Sequence, residues 1–165
     1  MLLDAGDDQH KVRLHIWWPD DRVPEQIHNH AWDFSSTVLT GALRFQIYQT
    51  APEGEAKLRY RSMPPQRDRT GYRMRQMGSA TLVCAFDALL REGTIYTLNH
   101  QVFHRVANAN DGVTGTIIIH GPFLREYSDI MADEPIDQQQ EIRVHHFTIP
   151  ELRSRVEAFL TAMER

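Results

Sequence analysis

The chain has 165 residues, of which 41% are hydrophobic and 24% are charged, a composition that fits one globular domain and excludes general disorder. Its formal net charge of -4 argues against a nucleic-acid partner, because phosphate binding needs clustered basic residues, and no apolar run is long enough to predict a membrane partner. The single cysteine, Cys84, excludes a disulfide within the chain and fits a reducing, cytoplasmic location.

Short segments rich in β-branched and aromatic residues follow one another along the chain. In chain order, the predicted strands are 12–18, 34–40, 42–48, 57–62, 81–89, 94–98, 102–107 and 113–120. Turn signals such as Thr40-Gly41, Pro52-Glu53-Gly54 and Glu92-Gly93 separate them. No long helical pattern lies between these strands, so parallel crossover units are not expected. The pattern favours a sandwich or a barrel.

The end of the chain carries a helical pattern. Apolar residues recur there at helical spacing, namely Leu152, Val156, Phe159, Leu160 and Met163. Pro150 suits the first turn of a helix, and Glu151 favours the positive end of the helix dipole. We therefore predict a helix over about 150–164. Its apolar stripe needs a partner, which is either the exterior of the barrel or another subunit.

Histidines supply the main functional signal. His28 and His30 are two residues apart, so on a strand their side chains project to the same face and lie close enough to share one metal ion. His104 is two residues from Val102 and from Val106, so on a strand it shares a face with these two apolar residues. Each feature also has a structural explanation. The pair is compatible with a solvated strand face, and His104 with a core histidine bonded to a carbonyl.

These histidines resemble the two sequence motifs of the cupin superfamily. His28, His30 and Gly41 match the first motif, and Gly93, His104 and Asn108 match the second. The resemblance spans Ile27 to Asn108, about half of the chain. It implies an all-β fold, a single cupin-type double-stranded β-helix (jelly-roll) barrel over about 10–125 with a C-terminal helix, in one domain over 1–165. It also implies one divalent metal ion on the three histidines. Apolar surface on the C-terminal helix and on the N-terminal strand with Trp17 and Trp18 predicts a homodimer, as many cupins form.

The chain departs from the cupin pattern at the acidic ligand. The family's acid would fall near Phe34 or Ser35, neither of which carries a carboxylate, and Asp33 comes one or two residues early. The site therefore resembles the three-histidine subset, as in thiol dioxygenase-like cupins. Two roles remain open for Asp33, which we predict to be catalytic. It is either a weak fourth ligand or an outer group that orients a histidine.

Further polar residues are candidates for the reaction and for the substrate. Tyr96, just before the second motif, is predicted to be catalytic, and Arg44, Tyr48, Arg61 and His120 are predicted to bind substrate. An inward arginine can hold a carboxylate through a bidentate pair. Strand alternation does not say which of the two sets of residues faces into the barrel. The alternative is therefore that these arginines face outward and are solvated. His120 lines the pocket or caps the strand end.

The combined signals predict a metal-dependent enzyme that acts on a small organic molecule. A mononuclear non-haem iron(II) oxygenase is the preferred form, because the acidic ligand is missing as in the thiol dioxygenase-like set. Zinc, nickel and manganese are alternative metals. The alternative functions are a non-redox isomerase or lyase that uses the metal as a Lewis acid, and a cupin that binds a small molecule without catalysis.

Overall fold

The computed structural model describes residues 2–6, 9–20, 24–62, 71–139, 142–143 and 147–164, with side chains from residue 9 onward except at 143. The described residues form a set of short and long strands followed by one helix. The elements are β1 Leu2–Gly6, β2 Lys11–Trp17, β3 Ile27–His28, β4 Phe34–Thr40, β5 Ala42–Ser62, β6 Gly71–Tyr72, β7 Met74–Arg91, β8 Ile95–Leu98, β9 Phe103–Asn108, β10 Thr114–His120, β11 Ser128–Ala132, β12 Ile142–Arg143 and α1 Ile149–Met163. No helix among these residues is long and apolar enough to span a membrane.

Two five-stranded antiparallel sheets make up the body of the protein. Sheet 1 has the order β1-β2-β10-β4-β8, and sheet 2 has the order β11-β3-β9-β5-β7. Without β1 and β11, the remaining eight strands form two four-stranded sheets, β2-β10-β4-β8 and β3-β9-β5-β7. Successive strands from β2 to β5 alternate between the sheets, as do those from β7 to β10, which is the double Greek key of a jelly roll. The predicted all-β jelly-roll fold is confirmed.

The two sheets enclose an apolar core. Its buried members come from both sheets and are Phe34, Leu43, Phe45, Leu98, Val106 and Ile118. In the register of sheet 1, Phe34 lies opposite Leu98 and His120, and Ile118 lies opposite Ser36. Since paired residues project to the same face of a sheet, these positions identify the inner face of sheet 1.

Two predicted strands, 42–48 and 57–62, prove to be parts of the single strand β5. The strand pairs with β7 along its length, but Thr50 and Glu55 both lie opposite Leu82. The intervening residues therefore form a bulge rather than a reversing turn. At Gly54, an added Cβ would lie 2.5–2.6 Å from backbone atoms of Leu82, so glycine is needed for this close approach. The turn signal marks the bulge, and the prediction of a strand end there is wrong.

The C-terminal helix α1 begins with a capping box. The Thr148 hydroxyl accepts from the Glu151 backbone N–H, and the Glu151 carboxylate accepts from the Thr148 backbone N–H. The helix packs on the outside of sheet 1 through Phe159, which is 2% exposed. There its ring fills the space beside Gly115 of β10, where an added Cβ would lie 2.4 Å from ring carbons. The barrel exterior is therefore one partner of the apolar stripe.

Replacing Gly115 by valine is expected to displace Phe159 and destabilise the protein by about 1–3 kcal/mol, the usual cost of overfilling a packed site. Urea unfolding measures the loss. Gly121→Ala is the matched control, because a Cβ at Gly121 meets only one atom, at 4.0 Å. Phe159→Ala combined with Gly115→Val should cost less than the two separate losses added together, since the two residues touch. An unchanged midpoint for Gly115→Val would contradict this packing.

Candidate metal centre

Three histidines converge on the inner side of sheet 2. His28 on β3 lies opposite His104 on β9, and His30 follows His28 by two residues. The ring centroids are 4.9 Å apart for His28 and His30, 4.6 Å for His28 and His104, and 5.0 Å for His30 and His104. One ligand atom from each ring lies within 4.8 Å of the other two. The structure thus brings the three predicted metal ligands together.

Backbone carbonyls orient two of the three rings. His28 Nδ1 lies 2.8 Å from the carbonyl oxygen of Gln26, and His104 Nδ1 lies 3.2 Å from that of Val102. A carbonyl oxygen only accepts hydrogen bonds, so each Nδ1 carries the proton. The lone pair of each Nε2 is therefore left for another partner, which is the usual arrangement of a histidine that binds a metal.

Burial keeps two of these imidazoles neutral. Burial and the neighbouring His28 lower the pKa of His104 to about 3. Burial, His28 and His104 likewise hold the pKa of His30 well below its usual value. Both rings are therefore unprotonated at neutral pH, and neutral imidazole is the form that binds divalent metals.

Aromatic side chains surround the cluster on its inner side. The His30 ring stacks on Trp32 at 5.1 Å and meets Phe34 edge-on at 5.1 Å. Phe34 and Phe45 also contact the His104 ring, at 5.9 and 6.0 Å. Such an apolar wall limits the access of water and strengthens electrostatic interactions inside the site.

Asn29, between the first two histidines, ties them to β11. Its backbone N–H donates to the carbonyl of Asp129 at 3.1 Å, and its side-chain oxygen accepts from the Asp129 N–H at 2.8 Å. The buried Asp129 carboxylate in turn accepts from Arg59 at 2.6 Å and Arg61 at 2.9 Å. Burial opposes ionisation of Asp129, but the two guanidinium groups outweigh it and keep its pKa below the usual value.

Arg61 is therefore engaged by the Asp129 carboxylate. Its guanidinium also lies over the Tyr127 ring, 3.5 Å from the centroid. Asp129 and Arg61 are paired in the register, and Asp129 alternates along β11 with Ile130, which lies opposite His28. Arg61 is thus on the other side of sheet 2 from the histidines, which corrects its predicted place beside the substrate.

Arg44 and Tyr48 are also on the outer face of sheet 2. Ile47 lies opposite His104 in the register, so the odd-numbered residues of this part of β5 face inward. Arg44 forms an exposed ion pair with Asp87 at 2.6 Å, and the Tyr48 hydroxyl donates to Gln46 at 3.0 Å. The register therefore shows that Arg44 and Tyr48 face away from the site, which corrects the prediction that they line it. Alternation alone did not reveal which residues face inward.

Asp33 lies outside the histidine cluster and bonds to His100. Its Oδ1 atom accepts from the backbone N–H of His100 at 2.7 Å and lies 2.8 Å from Nδ1 of the same residue. These two bonds lower the pKa of Asp33. The structure thus places this carboxylate on His100 and not on any of the three clustered histidines.

Arg125 joins the same two segments. Its guanidinium donates to the carbonyl of His30 at 3.1 and 2.6 Å and to the carbonyl of His100 at 2.9 Å. Together with the bond between Asp33 and His100, it connects the segment that carries His30 to the turn before β9. Outer contacts of this kind fix the positions of metal ligands.

Tyr96 and His120 are both inside the barrel. Tyr96 packs against Phe34 at 6.1 Å and Phe45 at 5.0 Å, the two rings that contact His104, and burial raises its pKa. His120 is 1% exposed and stacks on Trp32 at 4.5 Å. One aromatic ring therefore separates each of these two side chains from the histidine cluster.

Sequence reasoning missed two polar residues inside the barrel, His15 and Glu25. His15 lies opposite Thr116 in the register of sheet 1. The backbone N–H of Glu25 donates to the Val106 carbonyl at 3.0 Å, and burial raises the pKa of Glu25, an effect that His28 opposes. Alternation puts His15 and the apolar Ile16 on opposite faces and does not show that His15 faces inward, and Glu25 lies outside the strands and shows no periodic signal.

Solved structures similar to the chain include proteins described as cupins. A cupin-domain protein from Bordetella pertussis is 19% identical over 73% of this chain and 91% of its own, with a TM-score of 0.42. An RmlC-like cupin family protein from Methanocaldococcus jannaschii is 8% identical over 75% of this chain and 83% of its own, with a TM-score of 0.44.

A third similar structure is an oxalate oxidase in complex with glycolate, 11% identical over 73% of this chain, with a TM-score of 0.45. The matched region spans 45% of the oxalate oxidase chain. No protein-family model matches the chain, and no curated protein does. The chain's own strand order and its three converging histidines confirm the predicted cupin resemblance at the level of the fold.

Proposed function

We propose that the protein is a metal-dependent enzyme that acts on a small organic molecule, with His28, His30 and His104 as the metal ligands and iron(II) as the preferred metal. The observation that carries this proposal is the convergence of three imidazoles inside the barrel. A closed structural site uses four protein ligands, whereas three leave positions open for water, oxygen or substrate.

The donor set fits such a metal. Three imidazoles that expose a lone pair suit iron, zinc, nickel and copper better than calcium or magnesium, which take oxygen ligands. No carboxylate or thiolate joins the cluster among the residues that the structure describes. When bound, iron(II) would supply the one-electron chemistry that oxygen requires, which is why we favour an oxygenase.

The chain's own residues prepare the site for this role. The carbonyls of Gln26 and Val102 hold two imidazoles in one tautomer. Trp32, Phe34 and Phe45 exclude water around the cluster. Glu25 and Tyr96 are buried groups inside the barrel that can hold a proton near the substrate, because burial raises the pKa of each.

Metal analysis of protein purified without oxygen, followed by a screen for oxygen consumption with small organic molecules, tests the proposal. One equivalent of iron(II) with substrate-dependent oxygen uptake is the expected result. Turnover with zinc in the absence of oxygen would instead favour the isomerase or lyase. A protein that binds small molecules but turns over none of them would favour the binding cupin.

The carboxylate of Asp33 is expected to support the site from outside the ligand set. Asp33→Asn should weaken metal binding by about tenfold, the low end of the range for such residues, because Asp33 holds His100 rather than a ligand. Competition with a coloured chelator measures the affinity. Glu126→Gln, a change at an exposed carboxylate, is the control. Near-complete loss of metal in Asp33→Asn would instead identify Asp33 as a direct ligand.

Assembly as a homodimer is the remaining proposal. Apolar side chains of α1 remain exposed, with Ile149 at 79% and Leu160 at 53%, and Ile119 on the outer face of sheet 1 is 52% exposed. Exposed apolar patches commonly mark interfaces. Light scattering at micromolar concentration should give twice the mass of one chain, and Leu160→Glu should lower that mass. A monomeric wild-type protein would contradict the proposal.

A further inference from the structure

The inner face of sheet 1 carries polar side chains opposite the histidine cluster of sheet 2. Thr116 on β10 lies opposite His15 on β2, and Ile118, two residues along the strand, lies opposite Arg13. Ile118 belongs to the core between the sheets, so this face of the sheet points into the barrel. The neighbouring Gly115 points the other way, toward Phe159 on the outside. His15 and Thr116 are therefore both directed inward.

Among the buried atoms that have no hydrogen-bond partner within the described residues, two lie side by side on the β2–β10 pair of this face. They are Nε2 of His15 and Oγ1 of Thr116. Thr116 is 0% exposed. A buried polar atom without a partner costs free energy that the rest of the fold must offset, so it calls for an explanation such as a bound molecule. Both atoms belong to the same strand pair, so one bound molecule can supply hydrogen-bond partners for both.

The pair lies close to the proposed metal centre. His28 contributes to the lowered pKa of His15, and His15 in turn contributes to the lowered pKa of His30. The His15 ring meets Trp17 edge-on at 5.7 Å, which helps to fix its orientation. His15 and Thr116 face the same barrel interior as the three histidines, so a small molecule at the open face of the histidines can reach sheet 1 with its other end.

We propose that His15 and Thr116 form a hydrogen-bonding subsite that takes a neutral hydroxyl, carbonyl or amide group of the substrate. The inference rests on the proposed function and names the substrate class for that site. An imidazole nitrogen and a hydroxyl each donate or accept, which suits a neutral polar group. Burial lowers the pKa of His15 to about 3, so the pair offers no positive charge for a carboxylate.

An acidic substrate group would instead bind Arg13, which lies on the same face. Its guanidinium lies over the Trp32 ring, 4.7 Å from the centroid. A carboxylate held there would bypass the His15–Thr116 pair. The experiment therefore compares neutral probes with an acidic one, and it uses Arg13→Gln as the variant for the rival.

The first test is thermal unfolding of the metal-free full chain. Thr116→Val replaces an unpartnered hydroxyl with a methyl group of the same shape. If the hydroxyl serves a ligand and not the fold, the substitution should raise Tm by about 2–4 °C, which corresponds to relief of one unsatisfied group in a chain of this size. A fall in Tm would show that the hydroxyl supports the fold, and it would overturn the proposal.

The second test is binding to the zinc-loaded protein. Hydroxyacetone, dihydroxyacetone, glycolamide and glycolate are titrated into wild type, Thr116→Val, His15→Phe and Arg13→Gln. We expect a neutral probe to bind and to lose about tenfold in affinity in Thr116→Val and in His15→Phe. Binding of glycolate alone, lost only in Arg13→Gln, would overturn the proposal, as would neutral-probe binding that survives both of the other substitutions. Failure of zinc to bind would refute the metal centre instead, while the Tm result still judges the subsite.

Discussion

His104→Ala is expected to abolish binding of a divalent metal ion and, with it, any catalytic activity. His104 supplies one of three imidazoles, and the described residues offer no carboxylate or thiolate in the cluster to replace it. Removing an outer partner of a metal ligand already costs about 10–100-fold in affinity. Loss of a ligand itself should therefore exceed 100-fold, which leaves the site empty at micromolar metal concentrations.

The same variant is expected to fold. The core between the sheets is formed by apolar residues of both sheets, such as Phe45, Val106 and Ile118, and does not depend on the ion. This differs from a zinc finger, where metal binding supplies the folding free energy. Truncating the buried His104 should cost about 1–3 kcal/mol, as for an ordinary core substitution.

Metal content by mass spectrometry, together with circular dichroism and urea unfolding of the metal-free protein, measures both effects. His10→Ala, at an exposed histidine outside the cluster, is the matched control and should retain one equivalent of metal. A folded His104→Ala protein that binds metal like wild type would refute the three-histidine site. Full activity of the His104→Ala protein on an identified substrate would refute the metal-dependent enzyme.

The histidine site could be predicted from sequence because its geometry depends on local rules. His28 and His30 share a strand face through their spacing, and His104 reaches them because β9 pairs with β3. Local alternation is enough for the first relation, and the cupin resemblance predicts the second. The strand β4, Phe34–Thr40, also has the bounds that its β-branched and aromatic residues predict.

The choice of inner face could not be predicted for β5. Arg44, Gln46 and Tyr48 alternate with Leu43, Phe45 and Ile47, and both sets contain residues that pack well in a sheet. Only the pairing of Ile47 with His104 shows which set faces the site. The outer set is buried in part because it forms its own network, in which Gln46 accepts from Tyr48 and Arg105.

The polar contacts that hold the site in place could not be predicted from the sequence, for a different reason. Asp129 on β11 and Arg125 act on Asn29, His30 and His100 from positions about 25 to 100 residues away in sequence. Strand β11, Ser128–Ala132, is short and carries no strong alternation, so no local pattern announces it. Long-range polar contacts of this kind depend on the tertiary fold and leave no periodic signal in the chain.

Acid is expected to unfold the metal-free protein through its buried histidines. Burial lowers the pKa of His15 and of His104 to about 3, and it holds the pKa of His30 well below its usual value of 6.5. The folded protein keeps these rings neutral, whereas the unfolded chain protonates them below pH 6.5. The unfolded state therefore binds more protons as the pH falls, and the free energy of unfolding decreases.

The expected slope is steep. Each additional proton bound by the unfolded chain costs about 1.4 kcal/mol per pH unit, so three histidines cost about 4 kcal/mol per pH unit between roughly pH 6 and pH 4. Over these two pH units the loss is about 8 kcal/mol, a large part of the about 5–15 kcal/mol of stability of a typical domain, so the urea midpoint should fall steeply across the window. Urea unfolding at a series of pH values measures the slope.

Two variants separate the histidine contribution from other titrating groups. His15→Phe removes one buried imidazole and should reduce the slope by about 1.4 kcal/mol per pH unit. Thr116→Val removes the neighbouring hydroxyl but no titrating group, so its slope should equal that of wild type. If stability stayed constant from pH 7 to pH 5, the three imidazoles would not be buried and neutral in the folded state. The fit of the cluster to a divalent metal at neutral pH would then lose its electrostatic basis, because that fit requires the unprotonated rings.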